Sequence, residues 1–356
     1  MGSTSTGGAG AAVFPRVGVA HIDALEACGL PCDGRLLQLN SYENRVYQVG
    51  LDDGRMVVAK FYRAARWSDA QILEEHAFAQ ELADAEVPAV PPLALPFADA
   101  PARGAAAVEP ARFVAAADWP ATLAHVNGWR VAVSARCGGR APEIDQDGVL
   151  ERIGRFIARL HGVGQRRPFR HRVAIEGTRA ARAAVQWLAG TDLIADASRD
   201  EWLRAAERAL DVAQQRFDAA GALRALRLHG DCHLGNLLWT DAGAHFVDLD
   251  DCCTGPAVQD LWMLLGGNRA EMSRQVGQVL DGYESMREFD LGELALIEPL
   301  RTVRLVQHSA WIARRWHDPA FPIAFPAFAS PAYWSQQATQ LREQVEAMQD
   351  DPITRG

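Results

Sequence analysis

One stretch, LHGDCHLGNLLW at residues 228 to 239, constrains this chain more than any other. Apolar ends enclose His229, Asp231, Cys232, His233 and Asn236. The runs LLW at 237 to 239 and HFVDL at 245 to 249 bracket TDAGA and read as a short hairpin directly after the polar turn. Three readings stand open: a zinc site of histidine and cysteine, a catalytic loop in which an aspartate precedes an asparagine by five positions, or a crowded polar turn.

The flanking sequence differs on the two sides. From Leu36 to Tyr62 the runs LLQL, VYQV and MVVAKFY predict strands, the last two joined by the turn LDDG at 51 to 54. A helix follows, with Ser68 or Asp69 as N-cap, Ile72, Leu73, Phe78 and Leu82 on its apolar face, and Pro88 as its end. Residues 98 to 118, rich in Ala and Pro without a period, read as a loop or loose hairpin insertion. A strand through Val131 and Val133 then runs into Gly138 and Gly139, a crossing point. Beyond it Ile153, Phe156, Ile157 and Leu160 recur at helical spacing. Further helices are predicted at Trp187 to Ile194, Asp200 to Phe217, Val258 to Leu265 and Leu291 to Trp316.

The fold class expected is therefore α+β, a bilobal protein-kinase-like fold. Residues 1–30 form a flexible N-terminus and leading helix, 31–137 a small β-rich N-lobe with one helix, and 138–356 a large, mainly helical C-lobe carrying the catalytic-looking loop. A net charge of −9 argues against a dedicated nucleic-acid binder, which needs a basic face. No apolar run reaches the about 20 residues that span a bilayer, and the start lacks a signal-peptide pattern, so no membrane role and a cytoplasmic location are expected. Six irregularly spaced cysteines fit reduced thiols there.

Phosphoryl transfer from ATP requires a lysine on the phosphates, an acid that positions it, a base for the attacking hydroxyl, and oxygen ligands for Mg²⁺. The chain offers candidates in that order. Lys60 ends MVVAK, which resembles the V-A-I-K strand of kinases, and Glu74 or Glu75 follows on the next helix, with Glu75 preferred. His229-Gly230-Asp231 with Asn236 resembles the kinase loop H-x-D-x-x-x-x-N. That likeness makes Asp231 the base and Asn236 a magnesium ligand, while Asp248 in FVDLDD stands where a second ligand is delivered. Asp250 repeats the carboxylate two residues on, on the same side if the strand continues. In place of G-x-G-x-x-G the chain has LNSYENRVYQV, 39 to 49, where Ser41 and backbone amides could donate to phosphates.

The rival zinc set, His229, Cys232, His233, Cys252 and Cys253, matches no finger or ribbon spacing. The two histidines are better read as organising the loop and the thiols as packed. His161 reads as a structural helix-end histidine, and Trp239, Trp262, Trp311 and Trp316 as core. Arg314 and Arg315 either line the cleft or end a solvated helix.

The motifs LNSYENRVYQ, KFYR, QILEEH, LRLHGDCHLGNLLW, FVDLDD, GPAVQDLWMLL, EPLR and RRWHDPAFP extend over roughly residues 36 to 322. Together they resemble the stress-protective Ser/Thr protein kinases of the aminoglycoside phosphotransferase/choline kinase-like superfamily. The resemblance implies a cytoplasmic, monomeric enzyme that phosphorylates protein serine and threonine, itself included, with ATP and Mg²⁺. It implies Asp231 as proton acceptor, Asn236 and Asp248 as metal ligands, and Ser41, Lys60 and Glu75 in the nucleotide site, with Asp248 also counted as catalytic. No A-P-E-like segment follows, since GPAVQDLW comes almost at once, so control through an activation loop is not expected. Two other classes share the pattern: a kinase of amino alcohols, homoserine or aminoglycosides, and a non-catalytic nucleotide-binding module. An acidic cleft would favour a cationic small molecule and a broad, open one a peptide; the sequence assigns Glu271, Asp281, Glu284 and Glu288 to neither.

Overall fold

The computed structural model describes residues 19–39, 41–96, 111–116, 119–221, 224–241 and 243–355. Strands β1 (Cys32–Gln38), β2 (Arg45–Leu51), β3 (Met56–Tyr62), β4 (Arg112–Ala116), β5 (Trp119–Val126) and β6 (Trp129–Ala135) form an antiparallel sheet in the order β1-β2-β3-β6-β5-β4. Helix α1 (Val19–Ala27) packs Ala24 and Leu25 against one face, with Tyr47, Phe61 and Val131. Period-2 alternation in MVVAKFY decides which side chains go where. Val57, Ala59 and Phe61 join that core, and Val58, Lys60 and Tyr62 emerge on the opposite face.

Helix α2 (Asp69–Asp84) begins with a capping box: the Gln71 amide donates to Ser68 Oγ, and the Ser68 amide donates to Gln71 Oε1. It ends four residues before Pro88. Its Ile72 packs beneath the sheet, whereas Phe78, Ala79 and Leu82 belong to the core of the helical region, so α2 is shared by both. Each such buried Phe or Leu contributes about 1.5–3 kcal/mol.

The helical region contains α3 (Val149–Gly164), α4 (Arg179–Ala189), α5 (Asp196–Ala220), the strand β7 (Leu226–Leu228), the hairpin β8 (Leu237–Thr240) with β9 (Gly243–Phe246), and β10 (Cys253–Gly255), which pairs with β7. Then come α6 (Gln259–Trp262), α7 (Arg269–Glu284), α8 (Ile297–Arg314), α9 (Ala320–Ala324) and α10 (Pro331–Gln349). The crossing segment after β6 pairs with the hairpin, for the Arg140 amide donates to the Trp239 carbonyl at 3.1 Å and the reverse bond is 2.7 Å. No helix among the described residues is long and apolar enough to cross a membrane.

The structure corrects several expectations. Arg112–Ala116, inside the stretch read as a loop or loose hairpin insertion, is an edge strand that forms an antiparallel hairpin with β5. Its strand formers are only Phe113 and Val114, too short a run to stand out from the Ala- and Pro-rich sequence before it; residues 97–110, like 1–18, lie outside the described residues. The helix expected at 187–194 runs from Arg179 to Ala189, with Ala181, Ala184, Val185 and Leu188 buried. Alanines form half of that face, which disguised it. Only Gln259–Trp262 is α-helical within 258–265, and the first turns of 291–316 are 3₁₀ before α8 begins. Helices α7 and α10 were not anticipated; Glu271, left unassigned by the sequence, closes a capping box with Asn268 at the start of α7.

Helices α3 and α7 cross at Gly154, where a Cβ would lie 2.0 Å from the Val279 carbonyl oxygen. The Gly154→Ala variant is expected to lose roughly 1–3 kcal/mol of stability, measured by urea unfolding, because helix backbones must separate to admit the methyl.

Candidate active site

Lys60 brings the site together. Its Nζ lies 3.0 Å from Asp250 Oδ1, 3.2 Å from Asp248 Oδ1 and 3.6 Å from Glu75 Oε1. These partners come from the turn after β9 and from the middle of α2. Burial alone would lower the lysine, but Asp250, Glu75 and Asp248 outweigh it and hold it well above its ordinary value. Burial pushes Glu75 upward, against the pull of Lys60. Glu74 points elsewhere: its carboxylate accepts the amides of Arg170, His171 and Arg172 at 2.6, 2.8 and 2.9 Å.

Asp250 has a larger part than its sequence suggested. The strand does not continue through Val247–Asp250: β9 stops at Phe246, Asp248 adopts φ 59° and a 3₁₀ turn covers Leu249–Asp251. Both aspartates reach Lys60 through that turn and not by strand alternation. Asp250 is buried and also meets Asn44 Nδ2 at 3.1 Å and the Arg66 guanidinium, which pairs with Asp251 at 2.6 Å. Burial works to raise its carboxyl, yet Lys60 and Arg66 hold it well below the usual range. A non-glycine residue in the left-handed region, such as Asp248, costs of order 1 kcal/mol and survives where surroundings enforce it.

The polar turn is held from below. Buried Asp260 accepts the His229 and Gly230 amides, both at 2.8 Å, and meets His161 Nε2 at 3.1 Å. Gln259 Nε2 donates to the Gly230 carbonyl at 2.9 Å. Gly230 has φ +84°, and a Cβ there would stand 2.1 Å from the Asp251 carbonyl oxygen. Only glycine fits both conditions. Asn236 Nδ2 donates to the Asp231 backbone carbonyl at 2.9 Å, so its amide oxygen remains as an acceptor. The histidines have local work: His229 Nε2 is 3.0 Å from the Val247 carbonyl, and His233 Nδ1 accepts the Gly235 amide at 3.0 Å. Cys232, Cys252 and Cys253 are buried in the core.

Asp231 itself is ionised. Burial raises its carboxyl, but His233 at 3.5 Å and Arg304 at 2.8 Å more than offset this and hold it well below the usual carboxylate range.

The segment from Ser41 to Arg45 closes the other side without glycine. Glu43 accepts from Trp311 Nε1 at 2.6 Å and pairs with Arg315 at 2.7 Å. Arg63 meets Asp318 at 2.8 Å and donates its amide to Asn44 Oδ1 at 3.0 Å. Ser41 Oγ accepts the Asn44 amide at 3.4 Å, which leaves its O–H to donate elsewhere; Asn40 lies outside the described residues. Arg315 thus reaches the cleft side, whereas Arg314 lies over Trp187.

These elements enclose a cavity of about 340 Å³. Val46, Val58 and Ala132 form one apolar wall, Leu238 and Phe246 the facing one, and Ser41, Lys60, Asn236 and Asp248 the polar end. A largely apolar cavity leading to a lysine and hard oxygens suits an aromatic base joined to phosphates. The donor set also fits Mg²⁺. Asn236 offers an amide oxygen, and the Asp248 carboxylate is 52% exposed toward the cavity. No cluster of three His, Cys, Asp or Glu suited to a metal exists among the described residues, and Mg²⁺ uses one or two protein oxygens beside phosphates and waters.

The sequence profile of the phosphotransferase enzyme family matches residues 35–297, which include Lys60, Glu75 and the whole loop and hairpin. The chain belongs to that family. Among its relatives, "Stress response kinase A" of Salmonella paratyphi A is 42% identical over 334 residues, 93% of each chain, and that of Escherichia coli is 41% identical over the same span. A "Serine/threonine protein kinase RdoA" of Salmonella typhimurium is 42% identical, again over 93% of both. This phosphotransferase shares its fold with an amicoumacin kinase solved with AMP-PNP and Ca²⁺, at a TM-score of 0.64 and 18% identity, covering 92% of this chain and 93% of that one. A microcompartment-associated aminopropanol kinase gives 0.64 and 20%, covering 91% and 97%. The expected α+β kinase-like fold is the one observed.

Sequence reading missed Asn44, Arg66, Asp260 and Arg304. Asp260 alone had a signal, an acid inside the apolar run GPAVQDLWMLL. Because the Asp250 carboxyl is depressed in the folded phosphotransferase, its stabilisation is complete above the ordinary 3.8 and is lost as pH falls below it. Asp250→Asn should remove that part of the acid-unfolding profile and cost about 3–5 kcal/mol at neutral pH, followed by circular dichroism.

Proposed function

We propose that the protein is an ATP-dependent serine/threonine protein kinase with a stress-protective role in the cytoplasm, acting as a monomer and able to phosphorylate itself. The observation that carries the phosphotransfer reading is the convergence of Lys60, Asn236 and Asp248 on one cavity, with ionised Asp231 tied to Asn236. The protein acceptor is favoured by relatives 41–42% identical over nearly the whole chain, among them one named as a serine/threonine protein kinase.

In this reading Lys60, positioned by Glu75, binds the ATP phosphates, and Ser41 donates to them from the loop above. Asn236 and Asp248 hold Mg²⁺, which when bound neutralises charge on the phosphate oxygens. The acceptor hydroxyl oxygen bonds to the γ-phosphorus as the bond from that phosphorus to the β,γ-bridging oxygen breaks. The hydroxyl proton passes to Asp231, and ADP leaves. A carboxylate held so far below its usual range is a weak base, which suffices where the transition state is loose and the proton moves late.

Labelled ATP with Mg²⁺, offered to the protein alone, with a generic protein acceptor and with amino alcohols and aminoglycosides, tests both parts. Label on protein serine or threonine that disappears in Asp231→Ala is expected; label only on the small molecules overturns the protein-kinase reading in favour of a small-molecule kinase. Asn236→Ala and Asp248→Ala should each lower kcat by roughly 10²-fold or more and raise the Mg²⁺ requirement, in line with the value of charge-stabilising groups at a transition state.

A further inference from the structure

Helix α8 and its C-cap residue Arg315 present Arg304, His308, Trp311 and Arg315 at intervals of four, three and four residues, one continuous stripe. The stripe faces the two loops that bound the site. At one end Arg315 and Trp311 are satisfied by Glu43. At the other, Arg304 Nη2 is 2.8 Å from Asp231 Oδ1, on a carboxylate that also has His233 at 3.5 Å. His308 lies between them, stacked on Trp311 with ring centroids 5.6 Å apart.

The charge balance at this mouth is the reverse of what a cationic acceptor needs. Among the described residues the acid within ion-pairing distance of Arg304 is Asp231 itself, the group that must receive the acceptor hydroxyl. Of the four acids that could have lined a cleft for amines, Glu271 caps α7, Asp281 and Glu284 pair with Arg355, and Glu288 lines a different pocket, beside Arg224 and Arg287. A guanidinium carries five N–H donors in a fork suited to carboxylates, and that of Arg304 is 42% exposed. The rim beside it is apolar and open. Tyr42 is half exposed and lies 5.5 Å from the Phe325 ring, which in turn is 6.1 Å from His308.

We propose that Arg304 is the acceptor-selecting residue of this kinase, and that it recruits a serine or threonine hydroxyl whose neighbour in the peptide is an aspartate or glutamate. The proposal rests on the phosphotransfer reading above. In the free enzyme Arg304 spends its charge on Asp231; an incoming carboxylate takes over the guanidinium through a bidentate pair and frees Oδ1 for the hydroxyl beside it. A cationic amine meets repulsion from Arg304 at the same point, and the exposed Tyr42 ring, backed by the partly buried Phe325, gives the rest of a peptide an apolar contact.

The test compares kcat/KM for three acceptors: a peptide with one serine flanked by glutamates, the same peptide with lysines in their place, and a panel of amino alcohols and aminoglycosides. Wild-type enzyme should favour the acidic peptide by about tenfold or more, the ratio that about 1.4 kcal/mol produces. Arg304→Gln should abolish the preference and Arg304→Glu should invert it, with thermal melting and binding of a fluorescent ATP analogue confirming that both variants are folded with an intact nucleotide site. A preference for lysine-flanked peptide or for amines in the wild type, or a ratio that neither substitution moves, overturns the assignment of Arg304 and leaves phosphotransfer standing. Absence of transfer to every acceptor, with the analogue still bound, overturns the phosphotransfer reading and this inference with it.

Discussion

The ammonium of Lys60 is largely withdrawn from water where β3, α2 and the turn after β9 meet, and a charge so placed must be compensated by charge from each element. Its ion pairs with Asp250, Asp248 and Glu75 therefore do two things. They set the distance between sheet, helix and hairpin, and they create the polar end of the cavity. Removing Asp250 or Glu75, both buried, would leave Lys60 short of charge in a poorly solvated place, so the nucleotide end of the site and the junction of the two regions depend on the same ion pairs. Arg66 and Asn44 extend the same network from the N-terminal side onto Asp250.

A second constraint shapes the loop that carries Asp231. Its backbone turns through a left-handed glycine above a buried carboxylate, Asp260, which takes up two amides that would otherwise be orphaned. His161 and Gln259 complete the support from α3 and α6. The catalytic-looking side chains are thus exposed to the cleft on a backbone whose own hydrogen bonds are satisfied from underneath. Closure from above follows a different plan from a glycine-rich loop. Glu43 and Asp318 anchor the Ser41–Arg45 segment and its neighbour Arg63 through side chains that reach between the sheet and the region from Trp311 to Phe325.

Much of this was legible in the residues, where a local rule governs. The alternation in MVVAKFY was enough to put Lys60 on one face with Val58 and Tyr62, and the start of α2 was readable as a cap at Ser68 or Asp69, of which the structure takes Ser68. Elements failed to show where their order is borrowed. The strand at 112–116, RFVAA, is too short a run to stand out from the Ala- and Pro-rich sequence before it and is ordered by pairing with β5; helix α4 has alanine at half of its buried positions. The choice between Glu74 and Glu75 is of another kind. Adjacent helix positions differ by about 100° in direction, so one reaches Lys60 and the other the 170–172 loop, and only the docking of α2 says which.

By itself, then, the sequence determined the α+β order of the chain, the five-residue step from Asp231 to Asn236 and the hairpin that carries the chain on to Asp248, because spacing and periodicity are properties of neighbouring residues. Tertiary structure alone decided that Asp250 joins Lys60, that Asp260 supports the loop, and that Arg304 rests on Asp231. Those pairs link residues 190, about 30 and 73 positions apart. Electrostatic partners at such separations are chosen by how helices and sheet pack, and a charge carries no mark in the sequence of the opposite charge it will meet.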